Sequence, residues 1–428
     1  MTRSVALLTI ALAIAPAVRA QQSLTLERAI ALALERNERA AVADARVDAA
    51  EARVGRARAF FFPDVTLTGN YTRRSYETMR EIGGDIVTIQ SKNAFNANAF
   101  LSTTLFNARA FPLYRQAKLE RESTRLGSAE DKRLLQFEAA DAYVITLSLE
   151  RVLQAAARRR DFAKASLDDS RARFEAGLVS SNDVTRAELE LATAEREVTR
   201  TRGQVQTAYL ELGNLLNTEV EGPLDVPENL LAAASESRTI PDAVIAEAEM
   251  RRLDIGSTER HALALEEFAK EPLQRFIPNL VMNGQYRHTN EAGLSGREDD
   301  SSLGLVLTWN AFDGGEAFAD RAERRALARE ARLDLEADRR RVGLEVRSAE
   351  TALSSEQASI RQATIAVEAA RKNADESTEL YRQGLASALE VADANFRLFE
   401  AEVAEARARY QLALAYLDLR LALGHEPL

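Results

Sequence analysis

Between Pro112 and Pro223, and again between Pro278 and Pro427, the chain contains no proline. Within those intervals Arg115 to Ala176 and Glu316 to Gln383 are each more than 60 residues rich in Ala, Leu, Glu and Arg, all strong helix formers. At 1.5 Å per residue each predicts a helix of ~90 to 100 Å, far beyond the width of a compact domain. Each rod runs into a glycine, Gly177 or Gly384, placed where a left-handed residue would end it. The helical pattern resumes within a few residues and continues to about Leu216 or Leu423. Two long antiparallel helical hairpins are expected, their small Ala positions allowing close side-by-side packing.

The two hairpins belong to two copies of one unit. Phe62-Pro63-Asp64-Val65 with Gly69 and Tyr71 is echoed by Ile277-Pro278-Asn279-Leu280 with Gly284 and Tyr286, at an offset of 215. Leu105-Phe106-Asn107 is echoed by Ala311-Phe312-Asp313 at 206. The longest echo, at 207, sets Phe174-x-x-Gly177-Leu178-x-Ser180-x-x-Asp183-Val184 against Tyr381-x-x-Gly384-Leu385-x-Ser387-x-x-Glu390-Val391. The offset drops between Tyr71 and Phe106, so the first copy should carry a surface loop roughly nine residues longer. The expected organisation is a first repeat over 21–217, a linker or equatorial segment over 218–240 and a second repeat over 241–428.

Each repeat opens with a helix, Leu26 to Phe61 or Asp242 to Phe276, that a proline stops. Period-two alternation follows, predicting strands at about 63–75 and 94–105, then at about 278–288 and 301–311. Val65, Leu67 and Tyr71 alternate with Thr66, Thr68, Asn70 and Thr72, and Leu303, Leu305, Leu307 and Trp309 alternate with Ser302, Gly304, Val306 and Thr308. One face suits lipid and the other water, although a soluble half-buried sheet gives the same alternation. Four strands cannot close a membrane barrel, for which eight is the minimum, so a barrel would need several chains; three would supply twelve strands.

Met1 to Ala20 has the build of a secretory signal: Arg3, an apolar run from Val5 to Ile14, a break at Pro16 and a small-residue cleavage site at Val18-Arg19-Ala20. The mature chain would begin at Gln21, without the Cys that a bacterial lipid anchor requires. The formal charge of −10 becomes −12 once Arg3 and Arg19 leave with the signal, which argues against nucleic acid as a partner. Zero Cys removes disulfides and thiol catalysis, and His261, His288 and His425 are too scattered for a His-rich metal cluster. No nucleophile, paired-acid or phosphate-loop constellation stands out, so neither an enzyme nor a cofactor is expected. Arg158-Arg159-Arg160 and Arg339-Arg340-Arg341 stand among acids on the rods and read as solvated faces. Phe174 and Tyr381 read as packing residues at the helix ends, and Trp309 as an interfacial aromatic anchor.

With its signal, its doubled helix-strand-strand-helix order, Phe62-Pro63 and Ile277-Pro278 opening strands, Trp309-Asn310-Ala311-Phe312-Asp313-Gly314-Gly315 closing one, and the two Gly-Leu-x-Ser-x-x-acid-Val turns, the chain resembles the TolC-like outer-membrane efflux and secretion channels over its whole mature length. The resemblance implies a mainly α-helical homotrimer, with a twelve-stranded β-barrel in outer-membrane lipid standing on a periplasmic α-helical barrel whose tip is closed at rest. It further implies a periplasmic adaptor and an inner-membrane transporter as partners, with export driven by the transporter. By position, Asp183 matches an acidic gate residue, Tyr381 an aromatic one, and Glu390 and Asp393 two acidic rings. The turns Gly177, Leu178, Ser180 and Gly384, Leu385, Ser387 match the region that receives the adaptor. Where some members place an arginine two residues after the second glycine, this chain has Ala386.

The residues themselves carry a plainer reading beside this one. Ser180-x-x-Asp183 and Ser387-x-x-Glu390 both fit a capping box. Asp393, one turn further in and on the face of Glu390, fits a favourable helix-dipole position. The competing class is a periplasmic structural coiled-coil protein whose strands form a small soluble sheet.

Overall fold

The computed structural model describes residues 24–236, 239–291 and 297–428; the expected signal at 1–20 lies outside them. In chain order the elements are α1 (Leu26–Arg36), α2 (Glu38–Arg58), β1 (Asp64–Arg73), β2 (Thr78–Ile82), β3 (Asp85–Gln90), β4 (Asn93–Phe106), α3 (Ala110–Glu175), α4 (Ser181–Leu216), α5 (Glu228–Ser235), α6 (Asp242–Arg251), α7 (Leu253–Phe268), α8 (Glu271–Gln274), β5 (Asn279–Thr289), β6 (Asp299–Thr308), α9 (Glu316–Arg382) and α10 (Ala388–Ala422). The rods are α3 and α9, of 66 and 67 residues, each about 100 Å long.

The first helix of each repeat is not continuous as expected. In the first, Asn37 turns extended (φ −74°, ψ 131°) and its Oδ1 accepts from the Arg39 N–H at 2.9 Å, while its Nδ2 donates to the Leu215 carbonyl at 2.8 Å. In the second, Arg252, at the same 215-residue offset, takes the same backbone conformation (φ −63°, ψ 124°), its guanidinium held by Asp254 and Glu345. A second interruption precedes Pro272, at the start of α8. Neither Asn37 nor Arg252 is a helix breaker. Tertiary partners fix both bends, which propensity does not encode.

Four strands form one antiparallel sheet in the order β1-β4-β5-β6, so the two repeats meet at β4 and β5. The register gathers the leucines on one face, although Phe100, Val281 and Val306 fall on the other. Val65 pairs with Leu101, Leu101 with Gly284 and Gly284 with Leu303; Met282 pairs with Leu305 and Leu280 with Leu307. On the other face Thr68 meets Asn98 and Ser102 meets Asn283, joined by side-chain hydrogen bonds of 3.4 and 3.1 Å, and Arg287 faces Asp300. Because period two fixes the face of every residue, a one-residue slip would turn the apolar set over. The apolar face lies bare: Leu303, Leu305, Leu307 and Leu67 are each about two-thirds or more exposed. Among the described residues β1 and β6 each have a single neighbour, leaving two open edges. The extra length of the first copy, expected as a plain loop, folds into a hairpin of β2 with β3.

The echo of Asn107 by Asp313 also has a physical cause. Each side chain turns a strand into a rod: Asn107 Oδ1 accepts from the Arg109 N–H at 3.1 Å, and Asp313 accepts from the Gly315 and Ala317 N–H groups at 3.0 and 2.9 Å. At this junction Glu271, only 1% exposed, gathers three arginines. Arg109 opens α3 and lies at 2.5 Å, Arg275 follows α8 at 3.1 Å, and Arg324 from α9 lies at 2.7 Å with its guanidinium 3.8 Å from the centre of the Phe268 ring. Burial alone would raise the Glu271 carboxyl, but the hydrogen bonds from Arg275 and Arg109 outweigh it and hold the group below the usual range. One carboxylate thus ties the bases of both rods to the strand entry.

The apolar core sits halfway down the rods, where α1, α4, α5 and α10 pack round Leu135 to Leu147 of α3 and Leu335 to Leu353 of α9. Tyr143 is buried there, its hydroxyl 2.6 Å from both the Leu24 and the Asp225 carbonyl oxygens, to either of which its one hydrogen can be donated. Asp141, on the same stretch, has an Oδ1 that is buried without a partner among the described residues. Burial first, then Asp418 of α10 and Glu138, push its carboxyl up to about 7. A group whose folded pKa exceeds its unfolded 3.8 loses stability as pH rises from about 4 through about 7. Thermal unfolding should therefore show the protein more stable at pH 5 than at pH 8 by no more than about 3 kcal/mol. In Asp141→Asn that difference should shrink, and an unchanged pH slope in the variant would rule Asp141 out as its source.

Candidate functional site: the hairpin tips

The two rods end in the same motif. Gly177 (φ +74°) and Gly384 (φ +76°) take the left-handed conformation that a Cβ would strain. Leu178 N–H reaches back to the Arg173 carbonyl at 2.9 Å and Gly177 N–H to that of Phe174 at 2.9 Å; Leu385 and Gly384 do the same to Leu380 and Tyr381 at 2.8 and 3.0 Å. These paired bonds satisfy the last carbonyls of each rod. They also push Leu178 and Leu385 out into solvent, 74% and 72% exposed. Two apolar knobs at the far end from the sheet are what the doubled Gly-Leu builds.

Both capping boxes form. The Asp183 carboxylate accepts from the Ser180 N–H at 3.0 Å and from its hydroxyl at 2.8 Å. Glu390 accepts from the Ser387 N–H at 2.7 Å and returns its own N–H to the Ser387 Oγ at 3.3 Å. Asp393 stands one turn further along α10 and lies 3.7 Å from Arg397, with both side chains 63% exposed. Tyr381 lies beneath Arg173, whose guanidinium sits 4.5 Å from the ring centre, bonds the Tyr381 carbonyl at 3.3 Å and pairs with Asp169 at 2.9 Å. The Tyr381 hydroxyl is buried with no partner among the described residues. Phe174, expected to pack against the turn, is 48% exposed instead. Within one chain the four predicted gate residues contact helix caps and arginines; among the described residues no hydrogen bond or ion pair joins them to one another.

Two arginines escaped the sequence reading. Arg173 ties the end of α3 to the end of α9. Arg159, read as part of a solvated run, is buried: its guanidinium lies 4.9 and 5.1 Å from the Phe396 and Phe399 ring centres and bonds Glu190 at 2.7 Å. A charge inside a bundle persists when both pairing and ring faces compensate its desolvation. Arg158 also reaches across, to Glu402 at 2.8 Å, whereas the Arg339 to Arg341 run remains largely exposed. The signal for Arg159 was present as Phe396 and Phe399 three apart on α10, but only the packing of α10 on α3 brings them to it. Beside Arg159 a cavity of about 310 Å³ lies between α3, α4 and α10, lined by Phe162, Ser166, Leu189 and Leu389.

Among the described residues there is no group of three His, Cys, Asp or Glu able to hold a metal, and no helix long and apolar enough to cross a membrane. The chain is similar to the outer membrane protein TolC of Vibrio cholerae, 25% identical over 393 residues that cover 89% of this chain and 86% of that protein. It is also similar to the alkaline protease secretion protein AprF of Pseudomonas aeruginosa, 24% identical over 86% of this chain and 77% of that one. Its fold is that of the outer membrane protein VceC from Vibrio cholerae, with a TM-score of 0.77 and 18% identity over 94% of this chain and 96% of the other. The family described as Outer membrane efflux protein matches residues 29–218 and 244–425, once per repeat. With a doubled strand-and-rod unit that both matches span, the chain belongs to the outer membrane efflux protein family: a TolC-like, non-enzymatic outer-membrane transport channel with a periplasmic helical portion.

Proposed function

We propose that three copies of this chain close into a single duct, the exit passage for cargo handed over by a periplasmic adaptor and an inner-membrane transporter. The observation that carries the reading is the four-stranded sheet, bare on its apolar face and open at β1 and β6. Unpaired edges are not tolerated in hydrocarbon, so the strands require neighbours of their own kind. Twelve strands from three chains would satisfy both edges of each sheet and set six helical hairpins side by side below it. The exposed Leu178 and Leu385 turns are the apolar knobs offered to the adaptor, and Asp183, Tyr381, Glu390 and Asp393 form the constriction.

In that assembly Glu390 and Asp393 recur three times around one axis and concentrate negative potential where the passage is narrowest. The double variant Glu390→Gln with Asp393→Asn separates this role from helix capping, because a glutamine still accepts the Ser387 N–H. The purified protein should run as a trimer by light scattering and conduct cations in preference to anions in planar bilayers. The double variant should lose about half or more of that preference, with an unchanged thermal midpoint. A stable monomer would sink the duct, and unchanged selectivity would leave both residues as helix-start acids.

A further inference from the structure

The apolar side of the sheet continues onto α9 and meets a stripe of unpaired positive charge. Trp309 follows the phase of Leu303, Leu305 and Leu307, and its Nε1–H donates to the Phe276 carbonyl at 3.0 Å. The Phe276 ring lies 5.6 Å from that of Phe318, which is 60% exposed. At 3.6 residues per turn, Arg321, Arg325, Arg329 and Arg332 all project within about 60° of Phe318. With Glu266 of α7 and Lys270 just before α8 they line a groove of about 450 Å³. Arg332 is paired with Glu266 and Lys270 with Glu267. Arg321, Arg325 and Arg329 have no hydrogen bond or ion pair among the described residues. Like charges four apart on a helix repel, yet this acidic chain stacks three in register, and Glu266, the one carboxylate lining the groove, is engaged by Arg332.

Their depth is informative. Arg321, Arg325 and Arg329 lie about 5, 10 and 16 Å below Phe318 along the helix axis. The polar headgroup layer occupies roughly 5 to 8 Å outside the hydrocarbon, and exposed aromatic residues mark the boundary between them. Side chains on a helix lean toward its N-terminus. The N-terminus of α9 is at the sheet, so the guanidinium groups reach back toward the membrane.

We propose that the groove beside α9 holds the phosphate of an anionic glycerophospholipid from the periplasmic leaflet, gripped by Arg321 and Arg325, with Arg329 one turn deeper adding positive potential. Guanidinium matches phosphate oxygens in a bidentate fork, and a surface lysine such as Lys270 adds charge without that geometry. The lipid anchors the barrel base at a fixed height. This rests on the sheet lying in the outer membrane, which fractionation of the same preparations checks separately.

The test is native mass spectrometry of delipidated protein titrated with phosphatidylglycerol, with phosphatidylcholine in parallel. Phosphatidylglycerol should bind the wild type, more weakly as salt rises, and bind the triple variant Arg321→Gln/Arg325→Gln/Arg329→Gln about 100-fold more weakly. Phosphatidylcholine should not tell the two apart. A triple lysine variant, which keeps the charge but not the fork, should bind with an affinity between the two and guards against a folding defect. Equal phosphatidylglycerol binding by wild type and glutamine variant would overturn the proposal. So would displacement of the lipid by equimolar inorganic phosphate, which would make this a free-anion site. Loss of the wild-type oligomeric state by the glutamine variant in lipid-free detergent would likewise overturn it, by making the stripe a contact between subunits.

Discussion

Replacing Glu271 by glutamine is expected to lower stability by about 3 kcal/mol, because it strips the one carboxylate that Arg109, Arg275 and Arg324 share, at a site that 1% exposure keeps from water. Removing one partner of a buried ion pair typically costs 3 to 5 kcal/mol; the lower end applies because Arg109 is 47% exposed and water screens it. Asp320 offsets part of the loss through Arg275, at 2.7 Å. The glutamine preserves shape but turns one acceptor oxygen into an NH2 donor facing guanidinium donors, so the loss reads charge and acceptor together, and not packing. Since the network depresses the Glu271 pKa, its contribution in the wild type should also fade as pH falls below the ordinary glutamate value of 4.5. Denaturant titration in detergent measures both effects. A change under about 1 kcal/mol would mean that the junction is held by Asn107 and Asp313 alone.

Arginine at Leu305 should cost about 2 kcal/mol and at Leu307, nearer the interfacial Trp309, about 1 kcal/mol, while arginine at Thr308 should cost far less. The contrast follows from phase. Leu305 and Leu307 share the bare face with Met282 and Leu280, whereas Thr308 lies opposite Asn279 on the polar side. Refolding into lipid vesicles under a urea gradient gives the three values side by side. Similar costs at all three positions would mean that the sheet is not bounded by lipid on one face only.

The tips show how far residue type reaches. Ser180 with Asp183 and Ser387 with Glu390 were legible as capping boxes because a cap joins residues three apart, a distance that local sequence spans. The glycine turns were legible for the same reason. Arg173 over Tyr381 and Arg159 between Phe396 and Phe399 join residues more than 200 apart, and nothing in the spacing of either set announces the other. A run of arginines among acids has the composition of a solvated face wherever it lies; Arg159 differs from Arg160 only in the side of α3 it occupies once α4 and α10 are packed there.

By itself the sequence determined everything that repeats at short range: the rods from uninterrupted helix formers, the strands from period-two alternation, the turns from Gly177 and Gly384, and the doubling from echoes at 206 to 215 residues. The tertiary structure alone decided the bends at Asn37 and Arg252, the β2–β3 hairpin, the pairing of β4 with β5 and the burial of Glu271 and Arg159. The physical reason is one of range. Propensity, caps and alternation act over a few residues and write themselves into neighbouring positions. A bend stabilised by Leu215, or a carboxylate shared by three arginines from separate elements, depends on which helices come side by side.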